Sequence, residues 1–263
     1  MKGPQSRSSQ VPRSLLQGVT AAACAALDVR DLRHRSELRT LTDADGRDVV
    51  SPVFRQIASN YERAGASANK NRSQENWRWR RPQMYIAPHN RSPEVVLERA
   101  IVSASERLGR ADLANQIPVA SGLIAGSPDA RRAIDLVQQR GESSFEFVEL
   151  KVGSDSPLYA AVEIVAYACL WILARFDPPA RQSDILAADQ LDLRVLAPAA
   201  YYSSFDLRSI ERMFDAGVST LGDDHGLGVT FAFHVVGTAS ISFPPLPDIE
   251  LLEMFDTRRA LHN

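Results

Sequence analysis

Hydrophobic residues change their spacing repeatedly between residues 93 and 236, and each change marks an expected element. Val95, Leu97, Ile101, Val102 and Leu108 form an apolar set behind Ser92 and Pro93, a serine N-cap followed by proline at the first helical position, so a helix is expected to begin there. Three strand-like runs follow at residues 116–124, 132–138 (RAIDLVQ) and 145–152 (FEFVELKV). The last two are expected to form a hairpin that turns at Arg140 and Gly141. A long apolar run at 157–175, behind Gly-Ser-Asp-Ser, predicts a helix with a capped start. Residues 191–197 read as a strand, 207–221 as an amphipathic helix with Asp206 as candidate N-cap, and 229–236 (VTFAFHVV) as a last strand. The order αβββαβαβ predicts an α/β fold, a mixed central sheet flanked by helices.

Before residue 75 the pattern is weaker. LLQGVTAAACAAL is a candidate helix packed on the main body, residues 53–64 repeat at helical spacing, and ASANKNRSQEN reads as an irregular linker. This divides the chain into an N-terminal helical extension, 1–75, and a main domain, 76–263. At 44% hydrophobic, 263 residues are enough for one substantial core or two modest ones. The opening MKGPQSRSSQVPRS has no apolar core followed by a cleavage site, and Cys24 and Cys169 lie far apart without ligand spacing. A cytoplasmic protein without a disulfide framework is the expectation. The apolar run at 157–175 is expected inside the fold, with no membrane partner, because a mid-helix Glu163 adds about 3 kcal/mol to insertion.

Chemistry enters with FVELKV. Glu149 and Lys151, two apart on a strand, project from one face, while Val148, Leu150 and Val152 project from the other. Asp135 interrupts the neighbouring apolar strand, and a favourable hairpin register brings it near Glu149. Two close carboxylates repel unless a cation bridges them, and oxygen ligands suit Mg²⁺ or Mn²⁺. Of 30 basic residues only Lys2, Lys70 and Lys151 are lysine, so a lysine inside a predicted strand points to a task for a compact ammonium. A short Glu-Xaa-Lys match alone also fits an ordinary salt bridge on a solvated sheet.

Over residues 93–237, an Asp on the second strand, Glu-Xaa-Lys on the third and a following helix resemble the PD-(D/E)XK nuclease superfamily, the restriction-endonuclease-like αβββαβ core. The resemblance implies a magnesium-dependent nuclease. Asp135 and Glu149 would bind the metal, the Leu150 carbonyl would add a ligand, and Lys151 would orient or deprotonate the attacking water. Glu98, in the first core helix, matches a glutamate that often faces the metal. Glu163 stands where the family has glutamine, with Tyr167 retained four residues on, as supporting residues. Ile134 precedes Asp135 in place of the motif's proline; the literal Pro128-Asp129 lies in a Gly-Ser-Pro turn and is set aside.

The net charge of −2 gives no global argument for nucleic-acid binding, so binding must be local. The best patch interleaves Lys70, Arg72, Trp77, Arg78, Trp79, Arg80, Arg81 and Tyr85, suited to following phosphates and stacking on bases; the alternative is an arm whose tryptophans pack on the domain. His89, His225 and His234 lack ligand spacing, and His234 reads as a core or rim histidine. The partner expected is nucleic acid, DNA before RNA, with a homodimer left open. The competing reading is a nuclease fold that no longer cleaves and serves as a binding module for nucleic acid or protein.

Overall fold

The computed structural model describes residues 11–41, 44–65, 76–79, 82–119, 121–122, 132–179, 182–236 and 246–262. Helices α1 (Val19–Leu27), α2 (Arg35–Thr40) and α3 (Val50–Ala64) come first, and α4 (Pro93–Arg107) leads into β1 (Leu113–Pro118). The strands β2 (Ala133–Gly141) and β3 (Ser144–Leu150) follow, then α5 (Pro157–Phe176), α6 (Asp184–Ala187) and β4 (Gln190–Ala197). After these come α7 (Ala199–Tyr202), α8 (Arg208–Asp223), β5 (Gly228–Val235), α9 (Asp248–Asp256) and β6 (Arg259–Ala260). The six strands make one sheet in chain order. β1, β2 and β3 form an antiparallel meander, β3, β4 and β5 run parallel through helical crossovers, and β6 returns antiparallel on β5. The chain is therefore an α/β protein built on a mixed open sheet, as its pattern predicts.

Alternation along the central strands separates two apolar cores. Phe145 and Phe147 of β3 and Leu191, Leu193 and Val195 of β4 pack with α1, α3, α5 and α8. Leu136, Val148, Leu150 and Leu196 pack on the opposite side with Leu97 and Ile101 of α4 and Leu251 and Phe255 of α9. α5 is apolar on most of its surface, Glu163 apart, because it lies between β3, β4 and α3. Among the described residues it is the one helix long and apolar enough to cross a membrane, and 89% of its most apolar stretch is buried within the fold. Ser156 caps it, accepting the Tyr159 N–H at 3.1 Å. Where α8 meets α3, a Cβ on Gly217 would stand 2.6 Å from Val50, so glycine permits the close approach.

Several boundaries differ from the pattern. β1 begins at Leu113 rather than 116, since Leu113, Ala114 and Ile117 are the buried positions; Gln116 between them has φ 52°, a local kink. β2 carries through Gly141 with an irregularity between Gln139 and Gly141, so the turn lies at Glu142 and Ser143. Leu108 ends α4 as its C-cap and is 47% exposed, not part of the apolar face. Asp206 accepts the Arg208 N–H at 3.2 Å in a local turn, while Leu207 occupies the N-cap position of α8. α1 starts only after Gly18, whose left-handed φ of 83° interrupts the apolar run. Within 11–65, α1 and α3 share a core with α5 and the sheet. The proposed boundary near residue 75 lies outside the described residues.

Candidate metal centre

The hairpin register pairs Leu136 with Val148, which sets Asp135 across from Glu149. Both strands are fixed around them: β3 is hydrogen-bonded to β2 on one side and β4 on the other, and beyond its end the Lys151 N–H still donates to the Leu196 carbonyl at 2.9 Å. The Leu150 N–H donates to Asp135 Oδ2 at 3.0 Å, orienting that carboxylate towards the end of β3. Lys151 Nζ stands 2.8 Å from Glu149 Oε1 and 3.5 Å from Glu163 Oε2 on α5. Glu163 Oε1 in turn accepts from Arg132 at 2.7 Å and from the Tyr167 hydroxyl at 3.2 Å. One sheet end and one helix thus hold Asp135, Glu149, Lys151, Glu163 and Tyr167 in a single charged cluster.

Glu149 and the Lys151 side chain are almost entirely buried, and Asp135 is partly exposed. Burial raises the Asp135 carboxyl to about 6, against the pull of Lys151 and the Leu150 N–H. Glu149 is pushed well above the ordinary carboxylate range by burial and then by Asp135 and Glu163. Lys151 is raised: burial opposes its charge, but Glu149, Glu163 and Asp135 together outweigh it. Tyr167 is raised by burial and by Glu163 and Glu149, so its hydroxyl stays protonated and donates. Glu163 thus makes ionisation harder for both Asp135 and Glu149, and Asp135 for Glu149, while Lys151 favours it for both.

Glu98 joins from α4, where it is only 2% exposed. Its carboxylate accepts from Arg99 at 2.7 Å, Asn115 at 2.5 Å and Gln116 at 3.0 Å, yet burial and the charge of Asp135 raise it to about 8. Asn115 also binds both the N–H and the carbonyl of Gln83, tying the chain before α4 to β1. Glu94, one turn earlier on α4, was not singled out from the sequence. Its Oε1 accepts the N–H groups of Val152, Gly153 and Ser154, each at 3.2 Å, and these contacts with the Ser92 and Ser154 hydroxyls outweigh its burial and lower it to about 2. It clamps the loop that leaves Lys151. A first-turn glutamate after Ser-Pro was the available signal, but its long-range target was not. Arg132 was likewise missed, because its value lies in reaching α5.

Asp135 and Glu149 offer only oxygen, the donor type a hard divalent cation takes, and both are raised first by burial. Among the described residues no three carboxylate, imidazole or thiol groups are gathered closely enough to hold an ion. Leu150 is buried and contributes its N–H to Asp135.

The basic-aromatic patch divides. Trp77 is fully buried, its ring 6.4 Å from that of Phe147 in a stacked arrangement, so it packs in the core and is closed to bases. Trp79 is half-buried edge-on against Phe145. Arg78 and Trp79 line a small cavity with Ser183 and Asp184. Tyr85 is 77% exposed. Lys70, Arg72, Arg80 and Arg81, like Pro128 and Asp129, lie outside the described residues. His234 is held down to about 3 by burial and by Arg194 and Arg258, the state of a neutral core histidine. Cys24 and Cys169 are both free.

No protein-family model, curated protein or solved structure matches this chain.

Proposed function

We propose that this chain is a divalent-metal-dependent nuclease of the PD-(D/E)XK type that hydrolyses phosphodiester bonds, in DNA before RNA. The observation that carries the reading is the register that sets Asp135 across from Glu149, with Lys151 bound to Glu149 and Glu163 at the same sheet end. A helix before the meander supplies Glu98, matching the glutamate that the resemblance implies, and a crossover helix after it supplies Glu163, where the family has glutamine. The restriction-endonuclease-like core remains part of this proposal.

Mg²⁺ or Mn²⁺, when bound, supplies Lewis acidity towards the phosphate and lowers the pKa of a water. Asp135 and Glu149 would hold the ion, with the Leu150 N–H fixing the orientation of Asp135, and the Leu150 carbonyl would be the further ligand that the resemblance implies. Lys151, raised by its acidic neighbours, keeps its proton at neutral pH, so its role is to stabilise negative charge on the phosphate rather than to take a proton. Glu163 and Arg132 position the ammonium from the helix side. Glu98, at about 8, is protonated over much of the neutral range, and its charge state is coupled to that of Asp135.

The test is cleavage of plasmid, linear and single-stranded DNA and of RNA, with Mg²⁺, with Mn²⁺ and with chelator. Wild type should cut only with metal, and Asp135→Asn and Lys151→Met should each lose roughly 100-fold or more in rate. Undiminished cutting by both variants would remove the assignment. A folded wild type that cuts nothing and binds neither ion would leave a nuclease-fold binding module.

A further inference from the structure

Glu163 faces two ways. Oε2 lies 3.5 Å from Lys151 in the proposed centre, while Oε1 accepts from Arg132 and Tyr167 on the wall of a cavity of about 280 Å³. That cavity lies between α5, which contributes Tyr159, Glu163 and Tyr167, and the chain at residues 16–20. Arg33 closes one side. Its Nη2 donates to the Tyr159 hydroxyl at 2.8 Å with the guanidinium 4.3 Å over the ring, and the side chain is 55% exposed beside Asp155.

The charge favours an anion. Among the described residues, two guanidinium groups line the cavity against one lining carboxylate, Glu163, which Arg132 and Lys151 both approach, while Arg33 lies 3.6 Å from Asp155. The wall at residues 16–20 is anchored rather than loosely laid down. Just before it, Ser14 bridges to Gly122, and the Leu15 N–H donates to the Ser121 carbonyl at 2.7 Å. Asn60 Nδ2 donates to the carbonyls of Leu15 at 2.9 Å and Gln17 at 2.8 Å. The cavity volume lies near the ~300 Å³ lower end of small-ligand sites, the size class of one small ligand rather than a duplex.

We propose that this cavity holds the terminal nucleotide of a single strand, its phosphate facing Arg33 and Arg132, so that cleavage proceeds from an end. The inference rests on the nuclease reading, and two measurements on the full chain separate their failures. The first is binding of a deoxynucleoside 5′- or 3′-monophosphate in chelator, where no cleavage occurs. Wild type should bind one of them better than the unphosphorylated nucleoside, and Arg33→Glu should weaken that binding by about 10-fold or more, the scale of one charge-assisted contact. Arg33 is half exposed, so the variant is expected to fold, and its circular dichroism and melting temperature verify this. The second compares linear with circular single-stranded DNA in Mg²⁺: linear strands should be shortened progressively while circles resist, and Arg33→Glu should slow the shortening.

Circles cut as fast as linear strands would overturn end-directed action and leave the nuclease reading standing. Binding unchanged in Arg33→Glu would overturn the cavity assignment. Arg33-dependent mononucleotide binding without metal-dependent cutting would support the cavity as a nucleotide site and sink the nuclease reading.

Discussion

Lys151→Met removes the only cation in contact with Glu149 among the described residues and nearly preserves the volume of the side chain. Lys151 is 9% exposed in its side chain, Glu149 5% and Glu163 12%, so the carboxylates left behind have little access to water. Breaking a buried pair in this way costs about 3 to 5 kcal/mol at a pH where the acids stay ionised. The variant can recover part of this by taking up protons. Lys151 is the main influence holding Asp135 down to about 6, so without it Asp135 and Glu149 titrate higher still. The sign follows: the folded variant binds more protons than its unfolded chain, so its stability falls as pH rises. One extra proton over two pH units corresponds to about 2.7 kcal/mol. Urea denaturation at pH 5 and 8 should therefore show a much smaller loss, relative to wild type, at the lower pH. Mg²⁺ should restore stability at pH 8, by about 2.7 kcal/mol at a hundred times its Kd. A loss independent of pH and of Mg²⁺ would refute the reasoning, since it would mean that these acids do not share the field of Lys151.

Glu98→Gln should reduce a pH slope present in wild type. Because the folded pKa of Glu98 is raised to about 8, its contribution is fully present below about 4.5 and is lost as pH rises through 8, so urea midpoints should fall over that window in wild type and fall less in the variant, where Asp135 and Glu149 still contribute. Glu94→Ala leaves three backbone N–H groups after Lys151 without their acceptor; a loss of roughly 1 to 3 kcal/mol and faster amide exchange at Val152, Gly153 and Ser154 are expected, and unchanged exchange there would remove the clamp from the account.

The sequence by itself determined the element types, because period and capping are local properties. Alternation in FEFVELKV separated Glu149 and Lys151 from Val148 and Leu150, and the structure places these sets on opposite sides of the sheet. Ser92 and Ser156 marked two helix starts through contacts three residues long. Glu163 inside an apolar helix signalled a polar neighbour, although its identity as Arg132 and Lys151 was not legible. The pair α9 and β6 also went unread, since a two-residue strand has no period of its own and exists only as the edge of β5.

What tertiary structure decided was register and reach. Asp135 meets Glu149 only because Leu136 pairs with Val148; a slip of one residue would turn it to the other face. Trp77 read equally as a stacking platform beside arginines or as a packing residue, and burial against Phe147 decided for packing, since the same aromatic surface serves a core or a base equally well. Glu94 and Arg33 act across 58 and 126 residues, on the Val152 N–H and on Tyr159. Separations of that size leave no trace in local pattern, because it is the closing of the sheet against its helices that makes such side chains neighbours.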